Sequence, residues 1–257
     1  MVNYCLRMLG AVLPRSCLIC RASAHTKPLC DFCQRHLNDD LRRQASQARC
    51  YRCGLSLPCT IVQSANYPHG TALQCGSCQT NPPVFEQCIA ATDYTPMAAL
   101  LVNKLKHRGE LSAAKLMATS LVDRLQMPTS PLTKMPSALV PVPLSRQRLR
   151  QRGFNQAIEI ARPLSRTLGI PMHLRACERE IDTASQQSLS VRERKANLRG
   201  SFTVLDKKSI QSLSIAIIDD VVTTGSTANA LCSALLAAGA MSCEVWCFAR
   251  TPAKHAQ

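Results

Sequence analysis

One stretch, residues 213–230 (LSIAIIDDVVTTGSTANA), narrows the folds open to this chain more than any other. It opens on Ile215, Ala216, Ile217 and Ile218, an unbroken apolar run that reads as a strand buried on both faces of a sheet. Two carboxylates, Asp219 and Asp220, follow at once. Then come Val221, Val222 and a small polar turn of Thr223, Thr224, Gly225, Ser226 and Thr227. Residues 228–238 are rich in Ala and Leu and read as a helix closed by Gly239. The order strand, acids, turn, helix has a specific chemistry. Main-chain N–H groups at the helix N-terminus, the helix dipole and the turn hydroxyls together make a seat for a phosphate dianion. The acids stand at the carboxyl end of a strand, where open α/β sheets bind ligands. Two acids beside a phosphate repel it unless they grip hydroxyls, or a Mg²⁺ that also touches the phosphate. A ligand carrying both a phosphate and a ribose diol satisfies both halves.

The cysteines carry a second signal. Eight of the fifteen fall into four C-x-x-C pairs: Cys17/Cys20, Cys30/Cys33, Cys50/Cys53 and Cys75/Cys78. This is metal spacing rather than a disulfide framework, and it points to a reducing cytoplasm. Each pair is a tight turn that aims two thiolates at one ion, and two turns complete a closed, structural Zn²⁺ tetrahedron. The order in the chain favours sequential sites, Cys17/Cys20/Cys30/Cys33 and Cys50/Cys53/Cys75/Cys78, with an interleaved pairing as the alternative. Gly54 and Gly76 stand beside the second set, where knuckle turns often need a positive φ. The region is too poor in apolar residues to fold without metal. Asn81, Pro82 and Pro83 end it, dividing the chain into a Cys-rich unit over 1–83 and a larger unit over 84–257. Cys5, Cys59, Cys88, Cys177, Cys232, Cys243 and Cys247 read mostly as small buried apolar residues.

At 257 residues the chain has room for one ordinary domain plus a small one. No run approaches 18 apolar residues, so no transmembrane helix is expected. Residues 2–13 are interrupted by Asn3 and Arg7 and read as a short helix, not a signal peptide. The formal net charge is +15. Two filled Cys₄ zinc sites would leave about +11. Such a surplus favours polyanionic partners, either phosphorylated small molecules or nucleic acid.

The remaining chain alternates strands and helices. Residues 31–47 read as a polar helix with Leu37 and Leu41 on one side. Residues 58–71 read as a loop. A strand over 84–94 is followed by a helix from Pro96 to Lys106, ending in the basic cluster Lys104, Lys106, His107 and Arg108 and broken by Gly109. A second helix covers 110–125 with Leu111, Ala114, Leu121 and Leu125 as its apolar positions. The run Leu139, Val140, Pro141, Val142, Pro143 is a strand that must leave its ladder early. Arg146, Arg148, Arg150 and Arg152 follow on two helical faces, where a pyrophosphate or a nucleic-acid backbone could be held. A helix over 157–168, a polar and mobile segment over 186–198, a short strand over 202–204 and a final strand over 242–249 complete the reading. Trp246 is taken as packing. This alternation predicts a parallel α/β sheet.

Four apolar residues, two acids, two more residues and a Thr/Gly/Ser turn resemble the signature of type I phosphoribosyltransferases, which bind 5-phosphoribosyl-1-pyrophosphate (PRPP). Further motifs are RGFNQ (152–156) after the VPVP strand, QQSLSVRERKANLRGSF (186–202) and the N-terminal C-x-x-C pairs. Together with the signature they resemble the ComF/GntX family from about Cys17 to Arg250. That family resembles type I phosphoribosyltransferases behind a zinc-ribbon domain and is associated with DNA uptake in natural competence and with external DNA as a nutrient. The resemblance implies a type I phosphoribosyltransferase-like α/β sheet with an N-terminal zinc-ribbon domain. Asp219 and Asp220 would meet the ribose hydroxyls, and Thr223, Thr224, Gly225, Ser226 and Thr227 would cradle the 5′-phosphate. The segment from Val140 through Val142, Pro143 and Leu144 would form the pyrophosphate loop. Arg192, Arg194 and Lys195 would lie on a loop that closes over the ligand, with Arg192 and Arg194 catalytic and Lys195 on the pyrophosphate. The implied reaction displaces pyrophosphate from the ribose C1 of Mg²⁺-bound PRPP, with an acceptor that no segment identifies. The implied partners are PRPP, single-stranded DNA and DNA-uptake proteins, in the cytoplasm and without membrane insertion. A different class of function keeps the fold but not the reaction: a single-stranded DNA-binding module using Arg146, Arg148, Arg150 and Arg152. An aromatic content of 4% disfavours base stacking as its main mode. Tyr51 and Tyr67 are the ribbon-region aromatics placed for it.

Overall fold

The computed structural model describes residues 16–58, 73–128, 130, 132, 134–179 and 201–252. In chain order its elements are α1 (Asp31–Ala45), α2 (Gly76–Thr80), β1 (Cys88–Asp93), α3 (Pro96–Arg108), α4 (Leu111–Gln126), β2 (Ala138–Pro141), α5 (Arg146–Arg152), α6 (Gln156–Leu168), β3 (Cys177–Arg179), β4 (Phe202–Val204), β5 (Ser214–Val222), α7 (Ser226–Ala237) and β6 (Ser242–Arg250). Four strands make a parallel sheet in the order β1-β6-β5-β2. β3 and β4 form a separate antiparallel pair.

The apolar run at the start of β5 explains the centre of this sheet. Ile215, Ala216, Ile217 and Ile218 are fully buried because β6 and β2 flank the strand and helices cover both faces. Alternate residues serve opposite faces. Ile89, Leu139, Ala216, Ile218, Trp246 and Phe248 pack with α3, α4 and α6. Cys88, Ala90, Val140, Ile215, Ile217, Val245 and Cys247 pack with α7 and the β3–β4 pair. Trp246 is fully buried, and Cys88, Cys177, Cys232, Cys243 and Cys247 are buried as small core residues, as expected.

The Cys-rich segment is joined to this core. Cys17, Leu18, Leu29 and, from α1, Cys33 and Leu37 belong to the same apolar cluster as Ile89 and Leu101. Polar contacts add to the seam. Arg49 Nη1 and Ser56 Oγ both donate to Asp93, at 2.8 and 2.7 Å, and Thr95 Oγ1 donates to Asp40 Oδ2 at 3.0 Å.

Some boundaries differ from the sequence reading. β1 starts at Cys88, because residues 84–87 lead into the sheet and put Phe85 in the core while Val84 stays exposed. β5 does not stop before its acids; its ladder with β6 continues to Val222. Gly76 opens α2 rather than taking a positive φ, whereas Gly54 has φ of 70°. Leu111 is exposed at the start of α4. The strand β3 was not foreseen. Residues 2–13, most of 58–71, Tyr67, Cys5, Cys59 and the polar segment 186–198 lie outside the described residues. No helix among the described residues is long and apolar enough to cross a membrane.

Candidate functional site

The site is built where β5 leaves the sheet. Asp219 is half-buried and Asp220 is 2% exposed. The Asp220 main-chain N–H donates to Asp219 Oδ1 at 2.9 Å, which fixes the Asp219 carboxyl against the backbone. Burial, and then the neighbouring Asp220 carboxylate, push the Asp219 carboxyl well above its ordinary range. Lys106, near the C-terminus of α3, partly offsets this. Its Nζ lies 2.7 Å from Asp220 Oδ2, as an ion pair rather than an aligned hydrogen bond. α3 presents Lys106 there because Thr95 Oγ1 caps its first turn, accepting from Ala98 N at 3.2 Å, and Gly109 closes it with φ of 63°.

The turn that follows is rich in hydroxyls and leads straight into a helix N-terminus. Thr223 and Thr224 are exposed, and Thr224 Oγ1 lies 2.8 Å from Ser226 Oγ. Ser226 N donates to Thr224 Oγ1 at 3.3 Å. Gly225, with φ of 76°, is the residue before α7, so Ser226 and Thr227 occupy the first turn of that helix. A left-handed residue at this point costs a β-carbon-bearing side chain about 1–2 kcal/mol, which is why glycine stands there.

Parallel pairing brings the second expected loop alongside. Pro141 is in register with Ile218, and Val142 N donates to Ile218 O at 2.9 Å. Val142, Pro143 and Leu144 therefore leave the sheet beside Asp219. Asn155 fixes them: its Nδ2 donates to Val142 O at 2.9 Å while its Oδ1 accepts from Ala157 N at the start of α6. The four arginines lie on α5, which buries none of its residues. Arg146 pairs with Glu178 at 2.7 Å, and Arg152 Nη1 donates to Gln156 Oε1 at 2.6 Å. Arg150 is exposed. Arg192, Arg194 and Lys195 lie outside the described residues.

The eight paired cysteines gather into two clusters, Cys17/Cys20/Cys30/Cys33 and Cys50/Cys53/Cys75/Cys78, the sequential pairing. Within each, the sulfurs all lie within 4.8 Å of one another. A zinc–sulfur tetrahedron with bonds of about 2.3 Å has edges of about 3.8 Å. Cys20 and Cys30 Sγ are 3.6 Å apart, and Cys53 and Cys75 Sγ are 3.7 Å apart, so both donor sets fit zinc. Main-chain N–H groups already face the sulfurs, as thiolates require: Ile19 N donates to Cys17 Sγ at 3.4 Å and Cys75 N to Cys50 Sγ at 3.3 Å. A hydrogen bond from Cys53, with main-chain donors, brings the Cys50 thiol down to about 4 despite its burial.

Two residues at this site were missed by sequence reasoning. In the sequence Lys106 belongs to a basic cluster at a helix end, which the helix dipole explains without a partner. Arg250 falls one residue past the expected end of β6. In the structure its guanidinium contacts both the turn after β5 and the second cysteine cluster.

Fold and site together define an α/β protein of the phosphoribosyltransferase-like type carrying two four-cysteine clusters. DNA utilization protein YhgH of Salmonella typhi is 36% identical over 244 residues, 93% of this chain and 98% of that one. The protein of the same name from Escherichia coli K12 is 34% identical over the same shares. Competence protein F of Haemophilus influenzae is 30% identical over 241 residues, 91% of this chain and 96% of that one. The chain belongs to the ComF/GntX family, with these DNA-utilization and competence proteins. No family model matches it. Among solved structures, a glutamine PRPP amidotransferase from B. subtilis covers 53% of this chain and 26% of its own, at 18% identity and a TM-score of 0.34. A purine phosphoribosyltransferase from Pyrococcus horikoshii covers 52% and 70%, at 17% identity and a TM-score of 0.30. Likenesses of this size carry no argument beside the strand order and the signature itself.

Proposed function

We propose that this chain binds PRPP at the end of β5 and serves the use of external DNA, as the names of its relatives indicate for them. Residues 84–257 form the phosphoribosyl-binding unit and 1–83 the zinc-holding one. One observation carries the reading: two acids and a hydroxyl-rich helix N-terminus are consecutive in the chain at the carboxyl end of a parallel strand. Asp219 and Asp220 accept from the ribose hydroxyls. Thr224, Ser226, Thr227 and the main-chain N–H groups of the first turn of α7 hold the 5′-phosphate. Val142, Pro143 and Leu144 bound the pyrophosphate side. Arg192, Arg194 and Lys195, which lie outside the described residues, are the basic groups proposed for the pyrophosphate side. The carboxyl oxygens suit a hard cation, and Mg²⁺ would supply charge neutralisation for the departing pyrophosphate. The reaction is displacement of pyrophosphate at ribose C1 by an acceptor held outside these elements.

Calorimetric titration of the zinc-loaded chain with PRPP, with and without Mg²⁺, tests this. Mg²⁺-dependent binding that is lost in Asp219→Asn is expected. Binding undiminished by that substitution contradicts the site assignment.

The four arginines of α5, none of them buried, support a second reading, a single-stranded DNA-binding module. Arg146, Arg148, Arg150 and Arg152 then track phosphates. On this reading affinity falls steeply with salt, and a flat salt dependence removes it.

A further inference from the structure

Arg250 ends β6 and is 7% exposed. Its guanidinium directs donors to main-chain carbonyls in two distant segments. Nε donates to Cys53 O at 2.8 Å. Nη1 donates to Val222 O at 3.1 Å, to Thr251 O at 2.9 Å and to Thr223 O. Cys53 is a member of the second cysteine cluster. Val222 and Thr223 lead into the phosphate turn.

Each of these segments also packs closely on its neighbours in the sheet and at the lead-in to β1. A β-carbon on Gly225 would stand 3.7 Å from the Phe85 ring, and Val84 N donates to Asn229 Oδ1 in α7 at 2.8 Å. Gly54, next to Cys53, sits so close to β1 that a β-carbon there would lie 2.7 Å from Cys88 O. The Cys50–Cys53 turn is therefore seated against the sheet directly beside the turn after β5.

The direction of these contacts matters. In a planar trans peptide the carbonyl of one residue and the N–H of the next point opposite ways. Thr251 N and Oγ1 hold the Val222 carbonyl on the β6 side together with Arg250, and Arg250 holds the Thr223 carbonyl there as well, which turns the N–H groups of Thr223 and Thr224 to the other side. A buried cation thus orients main-chain donors at the mouth of the anion seat, and it takes its own bearing from the carbonyl of a cysteine in the metal cluster.

We infer that Arg250 is a positioning residue that couples the second four-cysteine cluster to the phosphate turn, so that a filled cluster pre-organises the turn for an anion. The inference rests on the zinc and phosphate readings of the two sites. In a filled cluster, Cys50 and Cys53 would both hold the metal, and the turn and the Cys53 carbonyl would be fixed with them. With the cluster open, that acceptor is no longer fixed, and the guanidinium loses the contact that sets its plane. Coupling of this kind is reciprocal: whatever loosens the turn side also loosens the cluster. Lysine keeps the charge but is a point donor, and it cannot span Cys53 O and the carbonyls of Val222 and Thr223 together.

The test uses the full-length, zinc-loaded chain without ligand. Hydrogen exchange is followed by mass spectrometry over residues 221–229 in the parent, in Arg250→Lys and in Cys75→Ser, which removes one ligand of the cluster and leaves Cys53 in place. Exchange faster by about tenfold is expected in both variants, while residues 138–141 of β2 keep their parent rate. An unchanged rate over 221–229 in either variant overturns the proposal, as does equal acceleration in β2. A second measurement, zinc loss to a chromophoric chelator, needs only Arg250→Lys. One of the two zinc ions should leave about tenfold faster than in the parent and the other at the parent rate; parent rates for both overturn the coupling. Neither measurement uses PRPP, so a failure of PRPP to bind leaves both results standing.

Discussion

Two buried carboxyls show how far single residues decide this molecule's behaviour. Asp220 is held by Lys106, and breaking a buried pair costs more than forming it gains, because a charge is left without a partner. Lys106 keeps a quarter of its side chain in water, so Asp220→Asn should cost about 2 kcal/mol in urea unfolding. Pairing it with Lys106→Met should recover part of that loss. A double variant that loses the sum of both single effects would show that the pair is not coupled. Glu244 is the other case. Burial pushes its carboxyl from the ordinary 4.5 up to about 7, against the hydrogen bond that Gln87 Nε2 donates to it. The folded state then holds a proton that the unfolded state has released between those two values. Glu244 therefore favours the fold below pH 4.5, and this contribution fades as pH rises to 7, by on the order of 3 kcal/mol. The parent's urea midpoint should fall across that window more than that of Glu244→Gln. Parallel pH profiles for the two would contradict the assignment. Asp219, also pushed up by burial and by Asp220, titrates in both proteins and cancels in the comparison.

At the scale of elements, glycine conformation separates two turns that look alike in sequence. Gly54 follows the Cys50/Cys53 pair, and Gly76 lies inside the Cys75/Cys78 pair. Gly54 has φ of 70° and no room for a β-carbon, whereas a β-carbon on Gly76 would meet nothing within 4 Å. Gly54→Ala should destabilise the chain by more than about 2 kcal/mol, and Gly76→Ala should be neutral within about 0.5 kcal/mol. Equal effects by thermal unfolding would contradict this account of the knuckles. The same scale shows what the sequence could disclose. Elements with a strong apolar period, such as α3, α6 and the first half of β5, were legible, as was the order acids, turn, helix. The end of β5 was not, because Asp219 and Asp220 carry no strand pattern; the ladder with β6 extends the strand past them. β3 was hidden for a similar reason. Its three residues become a strand only by pairing with Phe202–Val204. Lys106 and Arg250 were visible as charges, but their partners stand 114 and 197 positions away for Asp220 and Cys53. Long-range pairing leaves no mark in local spacing.

For the whole molecule, the Cys-rich segment and the sheet share one apolar cluster, from Cys17 and Leu37 to Leu101 and Trp246. Metal binding to a site that is not preformed in the unfolded chain is folding free energy. Stripping zinc should therefore lower the melting temperature of the sheet as well as that of the ribbons, in a single transition. Two separated transitions, with the sheet's unmoved, would show that the shared cluster does not couple them. The same continuity brings the second cysteine cluster and the phosphate turn within reach of one arginine. The central claim remains the assignment of the seat at the end of β5. A crystal structure of the zinc-loaded chain with Mg²⁺ and PRPP tests it most directly. The account predicts the 5′-phosphate on residues 223–227 and the ribose hydroxyls on Asp219 and Asp220. A ligand bound elsewhere, or a phosphate turn left empty at saturating PRPP, would contradict it.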